Sequence, residues 1–143
     1  MNRRQNKLWI ALPVYNEWPA IKLLIDNLIE LLEKEFKSYE IVICDDGSDD
    51  KSEIYFNQLE ENKKITLIHH EYNRGLAESI RDIFEYVTVN AHVDDVLIRM
   101  DGDATHNPKY ILDMIDKINS GYDVVVAARN KSNDKNLPYS RRI

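Results

Sequence analysis

The sequence predicts an α/β fold: a mostly parallel sheet with helices on both faces. Three observations predict it. Short apolar runs rich in β-formers recur along the 143 residues. Amphipathic stretches of helical period separate them. The apolar runs are continuous rather than alternating, the pattern of strands buried on both faces.

The elements follow in chain order. "LWIAL" (8–12), short, apolar and bounded by Pro13, reads as a first buried strand. In "AIKLLIDNLIELLEKEF", residues Ile21, Leu24, Ile25, Leu28, Leu31 and Leu32 fall at helical spacing, and Pro19 suits the first turn. "EIVIC" (40–44) is a second strand, ended by the turn-forming "DDGSDD", in which Ser48 or Asp49 suits a cap for a short helix over 51–61. "ITLIH" (65–69) is a third strand. "GLAESIRDIFEYV" reads as a helix with Leu76, Ile80, Ile83, Phe84 and Val87 inward. "VLIRM" (96–100) is a fourth strand, and Asn107 before Pro108 caps a helix in "PKYILDMIDKI". "YDVVVAA" (122–128) is expected as a fifth strand. The polar stretch after it, 129–143, has no core-facing pattern.

The length is that of one compact domain. A net charge of −6 argues against a nucleic-acid binder, which needs a basic surface to neutralise phosphates. The single cysteine, Cys44, can form no internal disulfide and fits a reducing compartment. No apolar stretch approaches the ~20 residues that cross a bilayer. The apolar run behind the basic "MNRRQNK" is too short for a signal peptide. A cytoplasmic protein is expected.

Ligands of doubly wound folds bind beyond the carboxyl ends of the strands, and three strands here end in polar clusters. The first ends in "PVYNE", placing Tyr15 to lie against a nucleobase and Glu17 to accept a hydrogen bond. The second ends in "DDGSDD", where a carboxylate suits a base N–H or a ribose hydroxyl, though a plain turn has the same composition. The fourth ends in "DGDATHNP". Asp101 and Asp103 lie two residues apart, and Gly102 between them admits a ligand or another backbone closely. Two carboxylates sharing one site repel unless a cation neutralises them, and hard oxygen ligands favour Mg²⁺ or Mn²⁺. A solvated turn capping the next helix is the alternative. "NRG" (73–75) opens a helix where backbone N–H groups and Arg74 suit an anion. His69 and His70 merely close the third strand; His106, near the acid pair, reads as a solvated loop residue.

As an ordered set, "ALPVYNE", "EIVICDDGSDD", "EYNRGLAESI", "RMDGDATHNP" and "YDVVVAARN" resemble the inverting family 2 glycosyltransferases of GT-A fold. They are most similar to the branch holding dolichyl-phosphate mannosyltransferase and the polyprenyl-phosphate sugar transferases. The resemblance covers roughly residues 8 to 142. It implies a Rossmann-like GT-A nucleotide-binding half that takes a GDP- or UDP-sugar and passes the sugar to an acceptor such as a polyprenyl phosphate. By the resemblance, Pro13, Tyr15, Glu17, Asp45, Asp46, Gly47 and Gly102 would line the nucleotide site, with Asp46 on the base. Asp101 and Asp103 would be the catalytic D-x-D that holds Mg²⁺ or Mn²⁺. The position after Ala104, often a further ligand in the polyprenyl branch, is Thr105. Arg74, Arg129, Arg141 and Arg142 would meet phosphates or the acceptor. The resemblance further implies a nucleotide-sugar-binding domain over 1–128. A polar tail over 129–143 would lead toward an acceptor-binding half absent from this chain, and the full-length protein would lie at the inner face of a membrane.

Three other readings compete. A nucleotide-sugar-binding fragment without catalysis has the same motifs. "DGDAT" also matches the D-x-D-x-T of haloacid-dehalogenase-type phosphatases, but that motif belongs on a first strand and here three helices precede it. A response-regulator receiver would use Asp45 and Asp46 but needs an aspartate where the third strand ends in His69.

Overall fold

The computed structural model describes residues 6–128. Four parallel strands, β1 (Leu8–Val14), β2 (Tyr39–Asp45), β3 (Ile65–His69) and β4 (Val96–Arg99), form one sheet in the order β3-β2-β1-β4. Between them run α1 (Ala20–Glu35), α2 (Ser52–Leu59) and α3 (Leu76–Asn90). The compact unit holding them ends at Lys109, and α4 (Tyr110–Asn119) belongs to a second unit.

The two central strands carry the core. All seven residues of β1 and all seven of β2 are buried, as continuous apolar runs require. One sheet face, with Trp9, Ala11, Val42 and Cys44, packs with Ile83 and Val87 of α3. Right-handed crossovers in opposite directions put α1 and α2 on the other face. There α1 buries Ile21, Leu24, Ile25, Leu28 and Leu32, and Tyr55 of α2 donates to Asp26 of α1 at 2.9 Å.

β1 runs two residues further than its apolar core suggests, through Pro13. Pro13 lacks an N–H yet sits in a central strand because of alternation. Ala11 turns its carbonyl toward β4, accepting from Met100 at 3.0 Å, while Val14 turns to β2, accepting from Asp46 at 2.8 Å. Pro13 therefore faces the β4 side, where pairing has ended at Ala11–Arg99.

Two expectations are corrected. Leu76 and Phe84 lie outside the buried face of α3, which consists of Ser79, Ile83 and Val87. The apolar stripe of this helix is wider than the arc that meets the sheet. Residues 122–128 form no strand, and Val124 and Val126 are 77% and 81% exposed. A β-prone run becomes a strand only with a ladder to join, and none includes these residues.

β1 and β4 are neighbours, while β2 and β3 extend the sheet the other way. The strand order therefore reverses between β1 and β4, the position beyond whose carboxyl ends ligands of such folds bind.

Candidate functional site

The loops after β1 and β2 are laced together. The Asn16 N–H donates to Ser48 Oγ at 3.0 Å, and Asn16 Oδ1 accepts from the Asp49 N–H at 2.9 Å. The Trp18 N–H donates to Asp50 Oδ2 at 2.9 Å. Asp50 Oδ1 accepts from the Ser52 N–H at 2.8 Å, while Lys51, at the N-cap of α2, makes no side-chain cap bond, so neither Ser48 nor Asp49 caps this helix. Tyr15 stands at the tip of the first loop, 46% exposed.

Asp45 and Asp46 point inward. Asp45 accepts from the Ser48 N–H at 3.1 Å and pairs with His69 Nδ1 at 3.1 Å. Asp46 is 3% exposed and uses both oxygens. Its Oδ1 accepts from the Arg74 N–H at 2.8 Å and lies 2.6 Å from His70 Nδ1; its Oδ2 accepts from the Gly75 N–H at 2.8 Å. Burial opposes the charge on Asp46, but these bonds, His70 first, overcome it and hold its carboxyl below the usual range. Gly47 has φ +72°, and a Cβ there would come within 2.6 Å of the Tyr72 backbone. It lets the β3–α3 loop lie directly on the β2 turn.

The β4 loop carries the acid pair. Gly102 packs against Val14, Ile21 and the Pro13 carbonyl, so it seats the loop against β1. Asp103 Oδ1 accepts from Thr105 N–H at 3.0 Å and Oγ1 at 2.7 Å. Asp101 meets Arg99 at 2.5 Å, and its N–H donates to His106 Nδ1 at 3.3 Å. His106 is thus tied to the acid loop. Asn107 Oδ1 accepts from the Lys109 N–H at 3.0 Å, the capping expected before α4.

Glu17 shows that these loops converge. Burial, then Asp103, Asp101 and Asp50, raise its carboxyl above the usual value. Four carboxylates from three strand ends therefore lie near enough to act on one another. Among the described residues no three His, Cys, Asp or Glu side chains could hold a metal ion by themselves. A pair of aspartates nevertheless suits an Mg²⁺-like ion, which keeps water and takes its other oxygens from substrate phosphates.

The family described as "Glycosyl transferase family 2" matches residues 9–143. The chain belongs to that family. Among solved structures this family 2 chain is similar to S. aureus TarS, residues 1–349, at 19% identity and a TM-score of 0.60, over 80% of this chain and 32% of that one. It is also similar to glucosyl-3-phosphoglycerate synthase from Mycobacterium tuberculosis, solved with Mn²⁺, UDP and phosphoglyceric acid. That match has 18% identity and a TM-score of 0.58, over 82% of this chain and 40% of the other. The likeness shows the GT-A-type α/β fold. The chain spans less than half the length of either.

The structure gathers Glu17, Asp101, Gly102 and Asp103 with the laced loops that carry Tyr15, Asp45 and Gly47. Arg74 is placed differently from the anion contact expected of it: its guanidinium lies 3.0 Å from Asp82 and 3.1 Å from Glu78. Arg129, Arg141 and Arg142 lie outside the described residues, as does the 129–143 tail. Sequence reasoning missed His70 and Asp82, which hold the Asp46 side of the site. The signal was register: Asp45 pairs with His69, so the next residues, Asp46 and His70, meet beyond the ladder. Among the described residues no helix is long and apolar enough to cross a membrane.

Proposed function

We propose that this chain is the donor-binding half of a glycosyltransferase that moves a sugar from a nucleoside-diphosphate sugar, with inversion, to an acceptor. The observation that carries the reading is membership of glycosyl transferase family 2 together with the acid pair Asp101 and Asp103 on the β4 loop, which Gly102 seats against β1. Such a concentration of negative charge suits a cation that brings a diphosphate with it.

Asp101 and Asp103 would hold Mg²⁺ or Mn²⁺, which neutralises the charge growing on the departing diphosphate. Tyr15 would lie along the nucleobase, with Pro13 and Glu17 beside it. The β2 turn at Asp45, Asp46 and Gly47 would close the far side of the nucleotide. Gly102, where a Cβ would press on Val14 and Ile21, would keep the loop that carries the acid pair close against β1 beside the nucleotide. The acceptor oxygen attacks the anomeric carbon, and the bond from that carbon to the diphosphate oxygen breaks with its electron pair. A polyprenyl-phosphate acceptor, the acceptor class we favour, is already ionised at neutral pH and needs no general base. Arg129, Arg141 and Arg142 would serve the phosphates of donor or acceptor. A lipid acceptor would place the whole enzyme against a membrane surface.

Supporting this reading are family membership, the fold shared with two glycosyltransferase structures, and the presence of UDP and Mn²⁺ in one of them. A fragment that binds donor without transfer is the second reading, favoured by the 32% and 40% coverage of those chains. Donor hydrolysis or transfer, measured beside donor binding, separates the two. Binding without release of nucleoside diphosphate would support the second.

A further inference from the structure

His70 sits one residue past β3, 5% exposed, with both ring nitrogens facing carboxylates. Nδ1 is 2.6 Å from Asp46 Oδ1 and Nε2 is 2.9 Å from Asp82 Oδ2. Cys44 Sγ lies 3.5 Å from Nε2, and Arg74 NH1 3.3 Å. A neutral imidazole has one N–H to give, and here two carboxylates ask for one each. The cluster is satisfied when the ring carries both protons, or when Arg74 donates to Nε2 and to Asp82 together. Either arrangement sets positive charge between the buried Asp46 and helix α3.

The consequence reaches the first loop through a chain of contacts. His70 fixes Asp46, and Asp46 fixes the N–H groups of Arg74 and Gly75. The loop so held lies on Gly47, where backbone atoms of Tyr72 and Asn73 leave no room for a Cβ. The turn containing Gly47 is laced in turn to Asn16 and Trp18, on either side of Glu17.

We infer that His70 is a positioning residue of the donor site, orienting Asp46 so that the 71–75 loop and the 45–50 turn keep their nucleotide-binding shape. This rests on the donor-site reading above. Asp82 and Arg74 are its supports: Asp82 receives Nε2, and Arg74 shares the charge. An ordinary core histidine would only fill space; this one joins the end of β2, the β3–α3 loop and α3 through one ring.

The test compares the intact chain with His70→Phe, which keeps a ring but no N–H, and His70→Gln, which keeps one donor and one acceptor. Hydrogen exchange at the Arg74 and Gly75 amides is read beside calorimetric titration of UDP and GDP with MnCl₂. In His70→Phe those two amides are expected to exchange at least about tenfold faster, and nucleotide affinity to fall about tenfold, the scale of one hydrogen bond to a charged group. Amides of β1 and β2 should keep their protection, and His70→Gln should recover much of both losses. Unchanged exchange at Arg74 and Gly75 in His70→Phe would overturn the inference. So would unchanged affinity with those amides open, or a loss of protection spread evenly over the sheet. If the parent protein binds neither nucleotide, the donor-site reading fails and the inference with it. A parent that binds while His70→Phe binds equally well defeats the inference alone.

Discussion

Asp46 Oδ1 lies 2.6 Å from His70 Nδ1, one residue beyond the point where Asp45 and His69 close the β2–β3 ladder. Both residues are buried. Removing the Asp46 carboxylate leaves the buried His70 ring and the Arg74 and Gly75 backbone N–H donors without their acceptor. Asp46→Ala is therefore expected to lower stability by about 3 kcal/mol. Urea denaturation checks it: the midpoint should fall with little change in slope.

Gly47→Ala should be costly for a different reason. At φ +72° an alanine is strained, and its Cβ would press the Tyr72 and Asn73 backbone at 2.6 to 2.8 Å. A loss of about 1–3 kcal/mol is expected. Thermal unfolding measures that loss. Gly75→Ala provides the contrast: its φ is +97° but nothing lies near its Cβ, so only the backbone cost remains.

Stability should fall in acid, and the sign follows from direction alone. Asp46, Asp50, Asp82, Asp95 and Glu40 all have carboxyls held below their usual values. For Asp82 the bond to His70 is the leading cause; for the others, burial opposes the charge and hydrogen bonds outweigh it. A carboxyl lowered in the folded state stabilises above its unfolded value. That stability is lost as pH falls through the folded value. The unfolding free energy should thus decline below about pH 4, where unfolded carboxyls begin to protonate. Denaturant midpoints across pH 7 to pH 2 check this, and a flat profile would contradict it.

Glu17 runs the other way. Its carboxyl is raised by burial and by Asp103, Asp101 and Asp50. A raised carboxyl costs stability at neutral pH and costs less as pH falls toward its unfolded value. Glu17→Gln should leave the ligand-free protein as stable or up to about 0.5 kcal/mol more so. The same change should weaken Mn²⁺-dependent nucleotide binding, because it removes negative charge from beside the acid pair. Calorimetry with and without MnCl₂ separates the two effects.

Much of this was legible in the sequence. Continuous apolar runs and period-3.6 patterns are local, so β1 to β4 and the four helices fall close to where the residues place them. Three strand ends were legible as one candidate site because parallel topology brings carboxyl ends to one edge. What escaped needed information that no local pattern carries. Asp82 lies on a helix twelve residues beyond His70, and nothing near either residue announces that they meet. Leu76 and Phe84 read as core because a helix shows its apolar stripe in sequence but not how much of it a sheet covers. Residues 122–128 have the composition of a strand and no ladder to join, a tertiary condition that propensity does not contain. Arg74 looked like an anion ligand, yet its charge goes to Glu78 and Asp82.

The most direct test of the donor site is calorimetric titration of the protein with UDP, GDP and their sugar conjugates, in MnCl₂ and again in EDTA. Asp101→Asn/Asp103→Asn serves as the control. Binding of one nucleotide that needs the metal and is lost in the double variant while the fold persists is the expected result. Binding that is indifferent to EDTA and to both substitutions would contradict it.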